Sequence, residues 1–257
     1  INGYFSGEPV SNLGGFSLPY GAIAQQETFT GGYSAKYGRS AGGVINQVGK
    51  RGTNEWEFGG QVLWEPDSLR EEYKNLLLPD LTLPAGYTYE DPDAAGSLYS
   101  RGKGAGQETT TYSAYVGGPI VQDRLFFFLA GEARKVDAIS NSNSLSTGRT
   151  TYAETDNPKI YAKIDWNITD NHLLEGTWMK ENNDYSGYYR SYDIESGERG
   201  ERLVLTPTEQ ERDSEYKIFK YTGYLTDNLT LSATYGQSEF GAKNTPYLLP
   251  GVPHIAN

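Results

Sequence analysis

Histidine and cysteine, the side chains that most often carry catalysis or bind metal ions, are scarce in this chain. The 257 residues include two histidines, His172 and His254, and no cysteine. A catalytic triad or a two-histidine metal site would have to bring both histidines together, although a short turn is predicted beside His172 and a loop around His254. The lack of cysteine excludes a disulfide framework and a thiolate metal site. We therefore expect no enzymatic activity.

Two further patterns resemble ligand-binding motifs but lack the flanking residues or the spacing that those motifs require. Gly102–Gly106 reads GKGAG, but no predicted strand precedes it and no Lys-Ser/Thr pair follows, so it is interpreted as a flexible loop. Asp80, Asp91 and Asp93 could offer oxygen ligands to calcium together with loop carbonyls, although the EF-hand spacing is absent. We accordingly expect no cofactor and no bound metal.

The composition is typical of a β-protein that has no nucleic-acid partner. The formal net charge is −11, so the chain offers no basic stripe to neutralise phosphates. There are 21 tyrosines, 9 phenylalanines, 4 tryptophans and 31 glycines, a composition that suits strands and turns better than helices. No apolar run approaches the roughly 18 residues of a membrane helix. A transmembrane barrel stays compatible, because its strands only alternate apolar and polar residues.

Strict alternation begins at Glu55 and predicts strands with one apolar face. The clearest case is 159–166, where isoleucine, alanine and tryptophan alternate with lysine, tyrosine and aspartate. About seven such strands are predicted in all. The other residues of the predicted apolar face are Trp56, Phe58, Val62, Trp64, Tyr112, Ala114, Val116, Leu125, Phe127, Leu129, Leu174, Trp178, Phe219, Tyr221, Leu225, Leu229, Leu231, Ala233 and Tyr235. The opposite face carries charges such as Lys163, which suit a water-filled lumen better than a buried core.

The connections between the predicted strands alternate between short and long. Short turns are predicted at 117–124, 167–171 and 226–228, and long polar loops at 65–108, 135–157 and 182–214. Short turns at one end and long loops at the other are typical of outer-membrane barrels, whose strands of about 9–11 residues cross the bilayer at a tilt.

The predicted fold is therefore an all-β, partial transmembrane antiparallel β-barrel. Since enclosing a filled lumen takes about 22 strands, the chain would supply only part of the barrel. A soluble sandwich stays open as the alternative, with the apolar face as its core and the charged face as its solvated exterior.

Gly31–Asn54 reads GGYSAKYGRSAGGVINQVGKRGTN, in which glycines allow tight turns and close backbone approach. The run resembles the closing part of the plug domain of TonB-dependent outer-membrane transporters, nearest to the Oar-like subgroup. In that family a GGYSAxYG–GGVIN–GTN run leads into the first barrel strand. The resemblance implies that residues 1–54 are the C-terminal part of a plug domain and residues 55–257 the N-terminal part of the transmembrane β-barrel.

The resemblance also implies contacts between plug and barrel. Plug arginines of this family pair with barrel-wall carboxylates, which would place Arg39 against Glu57, Glu132 or Glu175. The alternative for Arg39 is a solvated side chain near a turn. Three further cations could play the same part as Arg39, namely Lys36, Lys50 and Arg51.

The predicted external loop 182–214 is rich in tyrosine, whose rigid amphipathic side chain is suited to binding polar ligands or proteins. The candidate substrate-binding residues are Tyr185, Tyr188, Tyr189, Arg190 and Tyr192. The same residues could equally form ordinary surface at the level of lipopolysaccharide.

An integral protein of the Gram-negative outer membrane is expected, in contact with lipid and lipopolysaccharide. By resemblance, its function would be TonB-dependent, energy-coupled passage of an unidentified substrate through a plugged barrel. The TonB complex would act on a segment upstream of Ile1. Two alternatives stay open: a non-transporting scaffold or adhesin of a surface or secretion complex, with outer-membrane partner proteins, and a secreted soluble β-enzyme.

Overall fold

Long antiparallel strands make up most of the computed structural model, which describes residues 16–32, 43–78, 95–144, 147–203 and 209–245. The strands are β1 Ile23–Phe29, β2 Val44–Gly49, β3 Glu57–Glu65, β4 Leu76–Leu77, β5 Leu98–Ser100, β6 Gly106–Val121, β7 Leu125–Ser144, β8 Thr147–Thr169, β9 His172–Tyr192, β10 Arg199–Leu203, β11 Glu209–Thr226 and β12 Leu229–Thr245. Short 3₁₀ turns lie at Tyr20–Ala22 and Asp67–Leu69. No helix in the described part of the chain is long and apolar enough to cross a membrane.

The main sheet is an antiparallel meander in the order β12-β11-β9-β8-β7-β6-β3. The short strand β10 pairs with the C-terminal end of β9. Two separate ladders, β1–β2 and β4–β5, complete the described strands. The seven strands predicted from alternation are confirmed as β3, β6, β7, β8, β9, β11 and β12. The main sheet is open, with β3 and β12 at its edges, so the all-β antiparallel fold is consistent with part of a β-barrel.

The two faces of the main sheet have opposite chemistry. We call the face that contacts residues 16–32 and 43–54, the N-terminal segment, the inner face, and the other the outer face. On β8, Lys163 and Asp165 point inward and are only 6% and 2% exposed, whereas Ile164 and Trp166 point outward and are 50% and 46% exposed. Apolar side chains therefore lie outside and ionic ones inside, as the sequence pattern predicts. A sandwich with an apolar core requires the reverse arrangement.

Tryptophan side chains mark one edge of the apolar band on the outer face. Trp64 Nε1 donates to Glu108 Oε1 (3.0 Å), and Trp178 Nε1 donates to Glu215 Oε1 (2.7 Å). An indole combines an apolar body with one N–H donor, so it is favoured where an apolar region meets water. Beyond these contacts the outer-face residues become largely polar and ionic.

Six of the seven predicted strands are longer than the predicted 9–11 residues, and β3, with 9 residues, is not. β7, β8 and β9 have 20, 23 and 21 residues, so the predicted loops 135–157 and 182–214 consist largely of paired strand. This prediction is wrong because apolar alternation stops where the outer face becomes polar, whereas backbone pairing continues through threonine, serine, asparagine and tyrosine. We call the added part the extension, comprising residues 106–111, 134–144, 147–157, 182–192, 209–213 and 241–245.

Two arginines tie the connection before β6 to the turn before β10. Arg101 donates to the carbonyl oxygens of Ile194 and Glu195, and Arg199 donates to the carbonyl oxygen of Gly104 (2.6 Å). Because a guanidinium offers several donors in a fixed plane, each arginine can satisfy backbone acceptors of the opposite connection. The two connections are thereby held together beside the extension.

The backbones of the N-terminal segment and the main sheet come close together at Gly52. A Cβ added at Gly52 would lie 2.3 Å from the carbonyl oxygen of Phe127 and 2.9 Å from that of Gly118. Both neighbours are backbone atoms of the sheet and cannot swing aside as a side chain could. Glycine is therefore required where the chain crosses the inner face before entering β3.

Gly52→Ala is expected to destabilise the folded protein by about 1–3 kcal/mol, because the added methyl group forces the two backbones apart. Gly31→Ala is the control, since nothing lies within 4 Å of a Cβ at that position. The measurement is the urea midpoint of each variant folded in detergent. Equal midpoints for the two variants would contradict the close approach at Gly52.

Candidate functional site at the inner face of the sheet

The N-terminal segment covers the inner face through a shared apolar core. The buried residues are Phe16, Leu18 and Ala22 of the segment and Phe128, Ala130, Tyr161, Met179, Tyr216 and Ile218 of the sheet. The rings of Phe16 and Tyr216 meet edge to face with centroids 5.9 Å apart. Burial of apolar area on both sides favours this contact, so the segment and the sheet pack as one unit.

Lys159 is the centre of a polar contact between the segment and the sheet. Its Nζ donates to Ser17 Oγ (2.6 Å) and lies 3.8 Å from Glu132 and 3.7 Å from Glu181. Glu132 in turn accepts the backbone amide of Tyr20 (3.0 Å). The side chains of Lys159 and Glu132 are each 10% exposed, so this ion pair is shielded from water and strengthened relative to a surface pair.

Lys50 makes a second polar contact, where the segment leads towards β3. Its Nζ lies 3.3 Å from Glu57 Oε1 and 4.5 Å from the centre of the Tyr115 ring. Its carbonyl oxygen accepts the hydroxyl of Tyr161 (3.1 Å), and its amide donates to the carbonyl of Ala22 (2.7 Å). Both the backbone and the ammonium group of Lys50 therefore hold it in place.

Four charged side chains form a compact cluster on the inner face of β8, β9 and β11. Lys163 Nζ lies 2.8 Å from Glu175 Oε1 and 3.4 Å from Asp165 Oδ1, and Lys220 Nζ lies 3.2 Å from Glu175 Oε2. The positive charge of Arg51, in the N-terminal segment, also acts on Asp165. Since buried charges are costly unless they are paired, the alternation of signs makes this arrangement tolerable.

The residues predicted to join plug and barrel are only partly brought together. Glu57 and Glu132 contact the N-terminal segment, whereas Glu175 pairs with two lysines of the sheet. Arg39 and Lys36 lie outside the described residues. The role of these side chains as a plug–barrel contact therefore stays a prediction.

Two residues that touch the segment were not singled out from the sequence. Lys159 and Tyr161 occupy alternate inner positions of β8 and reach Ser17 and Lys50. In the sequence, the feature that could have indicated them is a pair of long polar side chains at successive positions on one face of a predicted strand. That signal shows which face they occupy, but not which partner they meet.

The predicted substrate-binding residues divide between the two faces, because they lie on β9 rather than in a loop. The strand register places Tyr185 and Tyr189 on the inner face and Tyr188, Arg190 and Tyr192 on the outer face. The interpretation of these five side chains as one loop surface is therefore wrong. Their role in binding a substrate stays a prediction.

Each of these faces has its own arginine–tyrosine contacts. On the outer face, Tyr188 stacks on Tyr152 with ring centroids 4.8 Å apart, and Arg202 lies 4.7 Å from the Tyr188 ring. On the inner face, the Arg149 guanidinium lies 5.1 Å from the centre of the Tyr189 ring. Cation–π contacts of this kind stabilise exposed side chains by about 0.5–1 kcal/mol. They hold the extension in a defined shape.

The other chemical candidates do not assemble into a site among the described residues. His172 Nδ1 lies 2.6 Å from the hydroxyl of Tyr221. No group of three histidine, aspartate or glutamate side chains in the described ranges could hold a metal ion. The other candidates, His254, Asp80, Asp91 and Asp93, lie outside the described residues.

Lys163→Met is expected to destabilise the protein by about 3–5 kcal/mol, because it removes the cation that pairs with both Asp165 and Glu175. Lys243→Met is the matched control: Lys243 pairs with Glu211 at 3.0 Å, but both side chains are more than half exposed, and the expected loss is below about 1 kcal/mol. Urea unfolding of both variants provides the comparison. A loss no larger for Lys163→Met than for Lys243→Met would contradict the structural importance of the cluster.

Comparison with known proteins gives one informative relative. No family model matches the chain, and no solved structure matches it. The TonB-dependent transporter Oar of Myxococcus xanthus is 27% identical to this chain over 162 residues, which are 61% of the chain. The chain spans 14% of the length of this relative. Over these 162 residues the chain is thus similar to a TonB-dependent transporter, and its own fold is all-β and antiparallel.

Proposed function

We propose that this chain is part of an Oar-like TonB-dependent transporter of the outer membrane. In this proposal residues 1–54 form the closing part of a plug, and residues 55–257 form the first strands of the surrounding barrel. The observation that carries the proposal is the N-terminal segment packed on a charged inner face, while the apolar face is turned outward. That arrangement suits a filled, water-containing lumen inside lipid.

The dimensions of the outer apolar band suit a bilayer. On β8 the outward residues from Pro158 to Ile168 are uncharged, and Asp156 lies just beyond them. About ten residues at about 3.3 Å each, tilted by about 40°, give a height of roughly 25 Å. This matches the apolar band of outer-membrane barrels, so lipid and, on the external side, lipopolysaccharide are the proposed surroundings.

The contact between the segment and the sheet suits a plug that has to be both held and moved. It combines a small apolar core with separate polar contacts at Lys159, Tyr161 and Lys50. Because these contacts are separate from one another, a pulling force can break them one after another. We propose that the TonB complex supplies this force through a segment upstream of Ile1 and opens a path for an unidentified substrate.

Ala22→Cys tests this function directly, because Ala22 of the segment is 0% exposed in the core shared with the sheet and the chain has no native cysteine. In living cells, labelling of Ala22→Cys by a hydrophilic maleimide is expected to require an energised membrane and a functional TonB complex. Movement of the segment is the step that would expose the thiol. The readout is the labelled fraction with and without an uncoupler, and in a strain lacking TonB.

Tyr20→Cys is the matched control, since Tyr20 is 67% exposed. Its labelling is expected to be the same in all three conditions. If labelling of Ala22→Cys is equally low with and without energy, the protein does not act as an energy-coupled transporter, and a static scaffold or adhesin is favoured instead.

A further inference from the structure

Charge is sorted between the two faces of the extension. The outer face carries acidic side chains on five neighbouring strands, among them Glu108, Asp137, Asp156, Asp184 and Asp213. The inner face of the described extension carries no carboxylate. Although the whole chain has a formal net charge of −11, this surface is cationic.

The cations of this inner surface are three arginines. Arg134 lies on β7, Arg149 on β8 and Arg212 on β11, and all three point inward by the strand register. Arg149 is engaged with the Tyr189 ring. Arg134 and Arg212 are exposed and have no hydrogen bond or ion pair with any residue of the described ranges.

Arg134 and Arg212 lie in one row across the sheet. Arg134 is opposite Asn157, and Arg212 is opposite Asn183. The two asparagines are neighbours in register on β8 and β9, between the pairs Asp156–Asp184 and Lys159–Glu181. Three strand spacings therefore separate the arginines, a distance of about 14 Å. We call Arg134, Asn157, Asn183 and Arg212 the arginine row.

The unpaired state of these arginines is not explained by a shortage of acids nearby. On the outer face, Lys135 next to Arg134 pairs with Asp156 (3.4 Å), and Lys243 pairs with Glu211 (3.0 Å). On the inner face the nearest carboxylates along the same strands, Glu132 and Glu181, are already paired with Lys159. Two guanidiniums that have no partner among the described residues, and whose neighbouring carboxylates are already paired, attract anions. Each can bind a carboxylate through two parallel hydrogen bonds.

We propose that the arginine row binds an acidic peptide in an extended conformation. Arg134 and Arg212 would each hold a carboxylate, and about 14 Å corresponds to roughly four residues of extended chain. The exposed amide of Asn183 between them offers a donor and an acceptor, as a peptide group requires. The proposal rests on the proposed function, because the inner face lines a passage only in a barrel. It assigns the substrate class of that passage.

An acidic peptide fits this row better than an acidic sugar. A sugar ring binds well against a free aromatic face, but the row itself contains no aromatic side chain. Of the two inner-face tyrosines beyond it on β9, Tyr185 lies over Gly187 and the Tyr189 ring is covered by Arg149. Asn157 is also committed, since its Nδ2 donates to Glu181 and to the carbonyl oxygen of Asn182. The groups left free in the row are two guanidiniums and one amide, which match carboxylates and a peptide bond.

The test is binding of a labelled seven-residue peptide, with glutamates at its second and sixth positions, to the detergent-solubilised protein. Fluorescence anisotropy measures the affinity. Arg134→Gln and Arg212→Gln are each expected to weaken binding roughly tenfold, because each removes a charge-assisted contact. Lys135→Gln, the adjacent residue on the outer face, is the matched control and is expected to stay within about twofold of the unmodified protein. Affinity is expected to fall as salt is raised.

Three results would overturn the proposal: no binding of the peptide, equal binding of a peptide with both glutamates replaced by glutamine, or the same loss in Lys135→Gln as in the arginine variants. Binding of an oligogalacturonate in place of the peptide would also overturn the peptide assignment. Circular dichroism confirms that each variant is folded. The assay needs neither TonB nor a membrane potential, so its failure is distinguishable from a failure of energy-dependent labelling at Ala22→Cys.

Discussion

Each strand of the main sheet has two faces, and in this chain the faces have to meet different surroundings. Alternation places one set of side chains outward and the next set inward along every strand. On β8 this puts Ile164 and Trp166 on the exposed side and Lys163 and Asp165 on the covered side. A fold that turns apolar residues out and ionic residues in is compatible with lipid, rather than water, against the outer face. The other features of the molecule follow from that constraint.

The inner face is stabilised by the N-terminal segment. Apolar residues of the sheet such as Phe128 and Tyr161 are buried in one cluster with Phe16 and Leu18 of the segment. The charges beside them are paired within the sheet or with the segment, as at Lys159. Gly52 allows the two backbones to approach. The segment is therefore both a cover for the inner face and a part of its core, as the proposed role of a plug requires.

The sequence predicted the parts of the fold that depend on alternation. A period of two over 159–166 was enough to identify a strand, its apolar face and its charged face, and the same reasoning predicted the other long strands. The ends of the strands could not be predicted, because 147–157 and 182–192 are largely polar on both faces while backbone pairing continues. For that reason Tyr185 and Tyr188 were assigned to one surface, although they lie on opposite faces. Contacts such as Lys159 with Ser17, which are 142 residues apart, depend on the path of the chain and leave no local signal.

The most direct test of the central claim is a spin-label accessibility scan along β8 in lipid bilayers. Cysteines are introduced one at a time over residues 159–166, which is straightforward because the chain has none of its own. The account predicts that lipid-soluble oxygen reaches labels at Ile160, Ala162, Ile164 and Trp166, and that a water-soluble nickel reagent does not. If the nickel reagent instead reaches these four positions, or if oxygen access shows no period of two, the outer face does not meet lipid and the account is contradicted.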